Sequence, residues 1–308
     1  MERRDFIKGI GLGALAAGLG KSVRAQEARA PGEAPGKAAE KAPPSAGDDF
    51  KITFLGTSHG NPTLERFNSS TLLEFGGKKY LIDAGEPVSA LLVRQRISPA
   101  DIDGIFITYP HGDHMGGLVM QFVQMASFRR HDKDKYQDRR CQVLLPGDDV
   151  KKSIADTMRI LRFGRGIPDY CDAIGFGDGV IFEDGGLRVT AIGNDHMKRR
   201  ADGSARAYSF LFEGAGKRIV FSGDLSNTFD FPYAVIEPGL DLIVCELVHF
   251  PVKLVVEGLR DKAIKHGCFQ HASNHYCDVV HGKERFAAFS KQLTFPAELV
   301  DDGTVRTV

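Results

Sequence analysis

The sequence predicts an α/β (α+β) protein built as an αββα sandwich, two mixed β-sheets flanked by helices. Three observations predict it. Strand-like apolar runs outnumber helical ones over residues 49–308, and helical spacing nevertheless recurs between them. Several of the runs end at once in a polar, metal-capable side chain, which is where rigid scaffolds place function. No tandem repeat occurs at the usual solenoid periods.

Taken in order, residues 51–55 form a strand ending at Gly56, and 70–75 with 79–82 read as a hairpin-like pair around Gly76 and Gly77. Helical apolar spacing over 88–95 precedes a continuous apolar strand at 102–108. Residues 118–128 follow as a helix, 141–145 as a strand, and 148–163 as a helix with Asp148 or Asp149 near its start. Residues 180–182, 187–192, 207–213, 218–221 and 240–245 are strand-like, with a helical stretch near 254–265. The segment 128–140 mixes charge signs without apolar periodicity and reads as a solvated insertion.

The first fifty of the 308 residues are unlike the rest. Arg3-Arg4-Asp5-Phe6-Ile7-Lys8 is a twin-arginine signature, followed by a small apolar run from Gly9 to Gly20 and an A-x-A-like box, Val23-Arg24-Ala25. As a helix that run reaches only about 18 Å, short of the roughly 30 Å hydrocarbon core. Residues 1–25 are therefore expected to be an export signal, which makes the protein periplasmic or otherwise exported in a bacterium. Residues 26–48 lack aromatics and nearly all branched aliphatics, so they cannot offset ordering entropy and read as a disordered linker. Residues 49–308 remain, a length that suits one large domain.

Forty basic and forty acidic residues give a formal net charge of zero, which disfavours a nucleic-acid binder relying on a general basic surface. Five cysteines are too few for a disulfide scaffold, and Cys268 and Cys277 are the one close pair that an oxidising compartment could bridge.

Four distant elements share one grammar, a strand end followed by metal-capable side chains. They are 108–114 with His111, Asp113 and His114; Asn194-Asp195-His196; Gly223-Asp224; and Gln270-His271. Imidazole nitrogens and carboxylate oxygens on short, strand-anchored loops suit a borderline cation such as zinc. Lone histidines such as His131, His266 and His281 are more often surface or core residues and receive no role.

Phe54-Leu55-Gly56-Thr57, Leu81-Ile82-Asp83-Ala84-Gly85, Ile107-Thr108-Tyr109-Pro110-His111-Gly112-Asp113-His114, Phe221-Ser222-Gly223-Asp224 and Gln270-His271-Ala272-Ser273 together resemble the metallo-β-lactamase superfamily. Within it they look most like the ribonuclease Z and arylsulfatase-like branch, over roughly residues 51–308. The resemblance implies a metallo-β-lactamase fold, with Asp113, His114 and His271 in metal site two and Asp224 bridging to site one. It leaves His111 and His196 in site one, with Tyr109 where the superfamily usually has its first histidine. Asp83 would orient a ligand imidazole through its other nitrogen. The implied cofactor is zinc, one or two ions, with iron or manganese as alternatives.

Such ions lower the pKa of water from 15.7 to about 7 and polarise the scissile oxygen. Asp113 can orient the attacking water, and a protonated imidazole must help the leaving group depart. His249 is the candidate acid and His275 the alternative. Tyr109 is the departure that matters. A phenol has a pKa near 10 and a longer reach than imidazole, so it is expected to point away and leave about one tightly bound metal. Bound as phenolate, it would instead favour a hard ion such as ferric iron.

The function expected is an exported metal-dependent hydrolase of a small ester, phosphodiester or sulfate ester ahead of lactone. Its partners are that ester and the twin-arginine export machinery, with nucleic acid disfavoured, no membrane span after processing, and a homodimer compatible with the sequence. Ribonuclease Z-like, lactonase or β-lactamase activity is the alternative among enzymes, because fold does not choose substrate. Export and the mere 28 positions from His196 to Asp224 oppose a tRNA-gripping arm. A degenerate, non-catalytic metal- or ligand-binding protein is the alternative of another class.

Overall fold

A computed structural model describes residues 49–308 apart from Phe163. The proposed export signal (1–25) and linker (26–48) lie outside the described residues. The chain opens with β1 (Lys51–Gly56), β2 (Ser70–Phe75) and β3 (Lys78–Ile82), an antiparallel meander that turns through Gly76 and Gly77 at positive φ. Helix α1 (Val88–Arg94) then carries it to β4 (Gly104–Phe106), parallel to β3. The short α2 (Gly112–Met115), α3 (Leu118–His131) and α4 (Lys133–Tyr136) lead to β5 (Cys141–Leu145), and α5 (Asp148–Leu161) leads to β6 (Cys171–Gly175).

The second sheet repeats this plan. Strands β7 (Gly179–Asp184), β8 (Leu187–Asn194), β9 (Ala207–Gly214) and β10 (Lys217–Phe221) are antiparallel neighbours. Parallel β11 (Leu242–Leu247), β12 (Gly267–Ala272) and β13 (Ala297–Leu299) continue it through α6 (Lys253–Leu259), then α7 (Asn274–Cys277) and α8 (Gly282–Ser290). The last strand, β14 (Val305–Thr307), returns to the first sheet beside β1. Two seven-stranded mixed sheets result, ordered β14-β1-β2-β3-β4-β5-β6 and β13-β12-β11-β10-β9-β8-β7. The expected αββα sandwich is the observed fold.

Apolar burial sets the layers. Phe106 is fully buried between the sheets, with the rings of Phe182 and Phe212 edge-on at 5.3 Å. Helices α1, α3 and α5 cover the outer face of the first sheet; on α5, Val150, Ile154 and Met158 recur every fourth residue and are the buried ones. Helices α6 and α8 cover the second sheet through Val255, Leu259, Phe286 and Phe289.

Most of residues 128–140 are exposed, in keeping with a solvated segment, and they are largely helical: α3 runs on to His131, and the Asp132 carboxylate caps α4 by accepting from the Lys135 N–H at 3.3 Å. Ion pairs substitute there for apolar periodicity, Arg139 holding Asp103 at 2.8 Å. The helix expected near 254–265 ends at Leu259, and β12 follows. Cys268 and Cys277 are free thiols. Ala272 lies four residues along β12 from Cys268, roughly 13 Å at about 3.3 Å per residue, and Cys277 Sγ sits 3.3 Å from the Ala272 carbonyl, so the two thiols are too far apart for a bridge. Among the described residues, no helix is long and apolar enough to cross a membrane.

Candidate metal centre

The parallel strands deliver their C-terminal ends to one edge of the sandwich, and the polar groups collect there. Asp83 follows β3 with φ of 60° and ties down the loop after β4, accepting from the Thr108 N–H at 2.8 Å and from the Thr108 hydroxyl at 2.9 Å. Its other oxygen stands 2.6 Å from His114 Nδ1. That contact fixes the ring of the buried His114, whose Nε2 then faces inward, 3.4 Å from Asp224 Oδ1 and 3.5 Å from Asp113 Oδ2. Both residues ride on α2, whose carbonyl at His114 accepts from the Ala84 N–H at 2.6 Å.

Asp224 reaches the centre because Gly223, at φ of 57°, turns the chain sharply after β10. A Cβ on Gly223 would lie 2.8 Å from the Tyr208 carbonyl and 3.1 Å from Thr108 Cβ. His271 closes the group from the end of β12, its Nε2 3.3 Å from Asp224 Oδ2 and 3.8 Å from Asp113 Oδ2. Burial opposes ionisation of Asp224, but the imidazoles of His271 and His114 outweigh it and hold the carboxyl well below its usual range.

Ligand atoms of Asp113, His114, Asp224 and His271 thus all lie within 4.8 Å of one another, the set expected for site two. A second set shares Asp224 and comprises His196, Asp224 and His249. His196 Nδ1–H donates to the Leu225 carbonyl at 3.0 Å, leaving Nε2 3.9 Å from Asp224 Oδ2. His249 lies with its ring 4.6 Å from that of His196 and its Nδ1 3.7 Å from Asp224 Oδ2.

The remaining candidates separate clearly. His111 packs its ring 5.4 Å from His196 but belongs to neither set of converging ligand atoms; burial, then the His196 imidazole, keeps its pKa below the ordinary value. His275 is exposed on α7, edge-on to Tyr276 at 4.9 Å, and is not brought to the centre. Tyr109 corrects an expectation: it points in, not away. Its ring is buried 4.4 Å from His114 and 4.7 Å from His196, and its hydroxyl donates to Asp224. Burial and the Asp224 carboxylate push this phenol far above its ordinary range, so it is a neutral donor in this structure. The phenol's extra length, expected to exclude it, instead lets the hydroxyl pass the imidazole position and meet the carboxylate.

Two functional neighbours were missed. Glu246, buried at the end of β11, accepts from the Leu225, Val248 and His249 N–H groups at 2.7–3.1 Å and stands 2.8 Å from His249 Nδ1. Asn194 donates to the Asp224 carbonyl at 3.0 Å and accepts from the His196 N–H. Glu246 obeys the same strand-end grammar as the ligands, and that signal could have found it.

The centre fits a divalent cation. His114 Nε2, His196 Nε2 and Asp224 Oδ1, which face the centre, are buried and have no hydrogen-bond partner. Each such atom costs about 1–3 kcal/mol if left unsatisfied, and imidazole with carboxylate is a donor set that a borderline divalent ion satisfies.

The sequence profile of the family described as Anti-Pycsar protein Apyc1 matches residues 50–249, which include all the metal-capable residues above except His271 and the exposed His275. The chain belongs to that family. Ribonuclease Z of Nitrosopumilus maritimus is 26% identical over 219 residues, covering 70% of this chain and 68% of that one. Ribonuclease Z of Methanococcus maripaludis is 46% identical over 84 residues, and the match spans only 27% of either chain. Among solved structures, the metallo-β-lactamase fold protein YhfI from Bacillus subtilis superposes with a TM-score of 0.64 at 15% identity, over 85% of this chain and 100% of its own. The metallo-β-lactamase fold and the ribonuclease Z-like kinship implied by the motifs therefore hold.

Proposed function

We propose that the protein is an exported, metal-dependent hydrolase of a small ester, with phosphodiester or sulfate ester ahead of lactone. The observation that carries this reading is the pair of ligand sets joined through one carboxylate, Asp224, beside a buried Glu246–His249 couple. Asp113, His114, Asp224 and His271 would hold one tightly bound zinc ion, and His196, His111 and the shared Asp224 would hold a second only weakly, because Tyr109 already donates to Asp224. Bound there, zinc would supply Lewis acidity toward the scissile oxygen and bring the pKa of water from 15.7 to about 7. Asp113, the least buried of the first set, orients the attacking water through its carboxylate. Glu246 holds His249 at Nδ1, which fixes the ring and leaves Nε2 to give a proton to the departing oxygen. The buried Thr108–Asp83–His114 chain keeps the ligand geometry rigid through the reaction.

Between β8 and β10 the chain makes one loop and β9, with no segment long enough to grip a tRNA, which supports a small substrate over ribonuclease Z-like processing. Hydrogen bonding of Tyr109 to Asp224 favours a second reading, a metal- or ligand-binding protein without turnover. Assay of the metal-loaded protein against phosphodiester, sulfate ester, lactone and β-lactam chromogens decides between them. Phosphodiester or sulfate ester hydrolysis lost in Asp224→Ala is expected; no turnover of any chromogen would leave the second reading. Export rests on Arg3, Arg4 and the box ending at Ala25. A reporter carrying residues 1–30 is expected to be exported by the twin-arginine route and blocked when both arginines become lysine; unchanged export of the lysine form rejects this part.

A further inference from the structure

At the opposite end of β12 from His271, three different metal-ligating side chains meet on one face. His266 and Cys268 are two residues apart and so share a face, and parallel pairing sets Cys268 beside Glu298 of the edge strand β13. Cys268 Sγ lies 3.3 Å and His266 Nε2 3.2 Å from the same oxygen, Glu298 Oε1, and the three ligand atoms are all within 4.8 Å of one another. A tetrahedral zinc site with the usual Zn–S, Zn–N and Zn–O lengths has ligand-to-ligand edges of about 3.3–3.6 Å. The two shorter edges of this triangle already have nearly that length.

We infer that His266, Cys268 and Glu298 form a second, structural site for a borderline divalent cation, zinc above all, separate from the hydrolytic centre. The lone-histidine reading of His266 gives way here to its neighbours. Without metal the buried Cys268 thiol donates to the Glu298 carboxylate, so sulfur and oxygen already face each other at the place an ion would occupy. In the metal-free state Arg306 of β14 neutralises Glu298. On binding, the Cys268 S–H proton leaves to solvent as the metal–sulfur bond forms, and thiolate with carboxylate balances the two positive charges. Arg306, whose side chain is 43% exposed, then turns to water, and a solvent molecule completes the fourth position. The ion would clamp the edge strand β13 to the start of β12, replacing an ion pair that links the two sheets.

Cobalt(II) titration of the full chain tests this, because the hydrolytic centre contains no thiol among its ligands. A thiolate-to-cobalt charge-transfer band in the near ultraviolet is expected, lost in Cys268→Ser and kept in Asp224→Ala. Absence of the band, or a band that survives Cys268→Ser, overturns the proposal and leaves an ordinary Glu298–Arg306 ion pair. Should Cys268→Ser fail to fold, His266→Ala decides on a half-exposed position. Losing a ligand costs at least the roughly tenfold in affinity that losing a partner behind a ligand does, so unchanged cobalt affinity in His266→Ala overturns it equally.

Discussion

Asp224 is asked to serve two sets of ligands with two oxygens, and Tyr109 already donates to one of them. A neutral phenol is a donor toward a carboxylate and offers a cation little, so it competes with metal for Oδ2 instead of adding a ligand. Tyr109→His would remove that donor and place an imidazole beside His111 and His196. Metal content is expected to rise toward two ions per chain, with faster hydrolysis of at least one ester. Metal analysis with a visible spectrum on both proteins checks this. Two ions in the unmodified protein would show that Tyr109 does not keep the second ion out, and a coloured band lost in Tyr109→Phe would show that the tyrosine is itself a ligand.

At the scale of elements, each ligand depends on how its strand ends. Gly223 leaves β10 at φ of 57° against the Tyr208 carbonyl, so Gly223→Ala must move either the turn or Asp224. Its expected signature is a fall in bound metal of roughly 10–100-fold in affinity, with a loss of folding stability of only about 1–3 kcal/mol. Equal metal affinity in a folded Gly223→Ala protein would show that the turn tolerates a side chain. This dependence also explains what the sequence made legible. The apolar runs ending at 108 and 221 announce themselves because each stops just short of ligands, the 111–114 loop and Asp224, whereas no apolar run marks β12, inside which His271 lies. Strand β6, Cys-Asp-Ala-Ile-Gly, and the edge strand β13 are half-buried and short, so no run marks them. The choice between His249 and His275 was not legible either, because β11 and α7 place two similar histidines at very different depths, and only tertiary packing distinguishes them.

Across the whole molecule, carboxylates tie loops to the sandwich. Burial opposes ionisation of Asp101, yet hydrogen bonds from Lys135 and Tyr136 and the Arg139 charge hold its pKa below the ordinary value, fastening α4 to the start of β4. Asp241 is depressed likewise, burial being outweighed by Lys265 and the Arg218 N–H, and it joins β10 to β11. Asp149 is lowered by Arg200, which links α5 to the loop before β9. A carboxylate whose folded pKa is depressed stabilises the fold above its unfolded value, about 3.9, and that contribution is lost as pH falls through the folded value. The share of the urea midpoint that these three carboxylates contribute is therefore expected to be full down to about pH 5 and to be lost progressively below about pH 4. Asp101→Asn isolates one contribution: at pH 7 it should cost on the order of 1 kcal/mol, after allowance for solvent screening of a partly exposed pair. At about pH 3, below the unfolded value, the gap should be smaller, because the contribution is lost as pH falls toward the lowered folded value. A gap between them that is the same at both pH values would show that Asp101 stabilises through packing alone and that its charge has no part in holding α4.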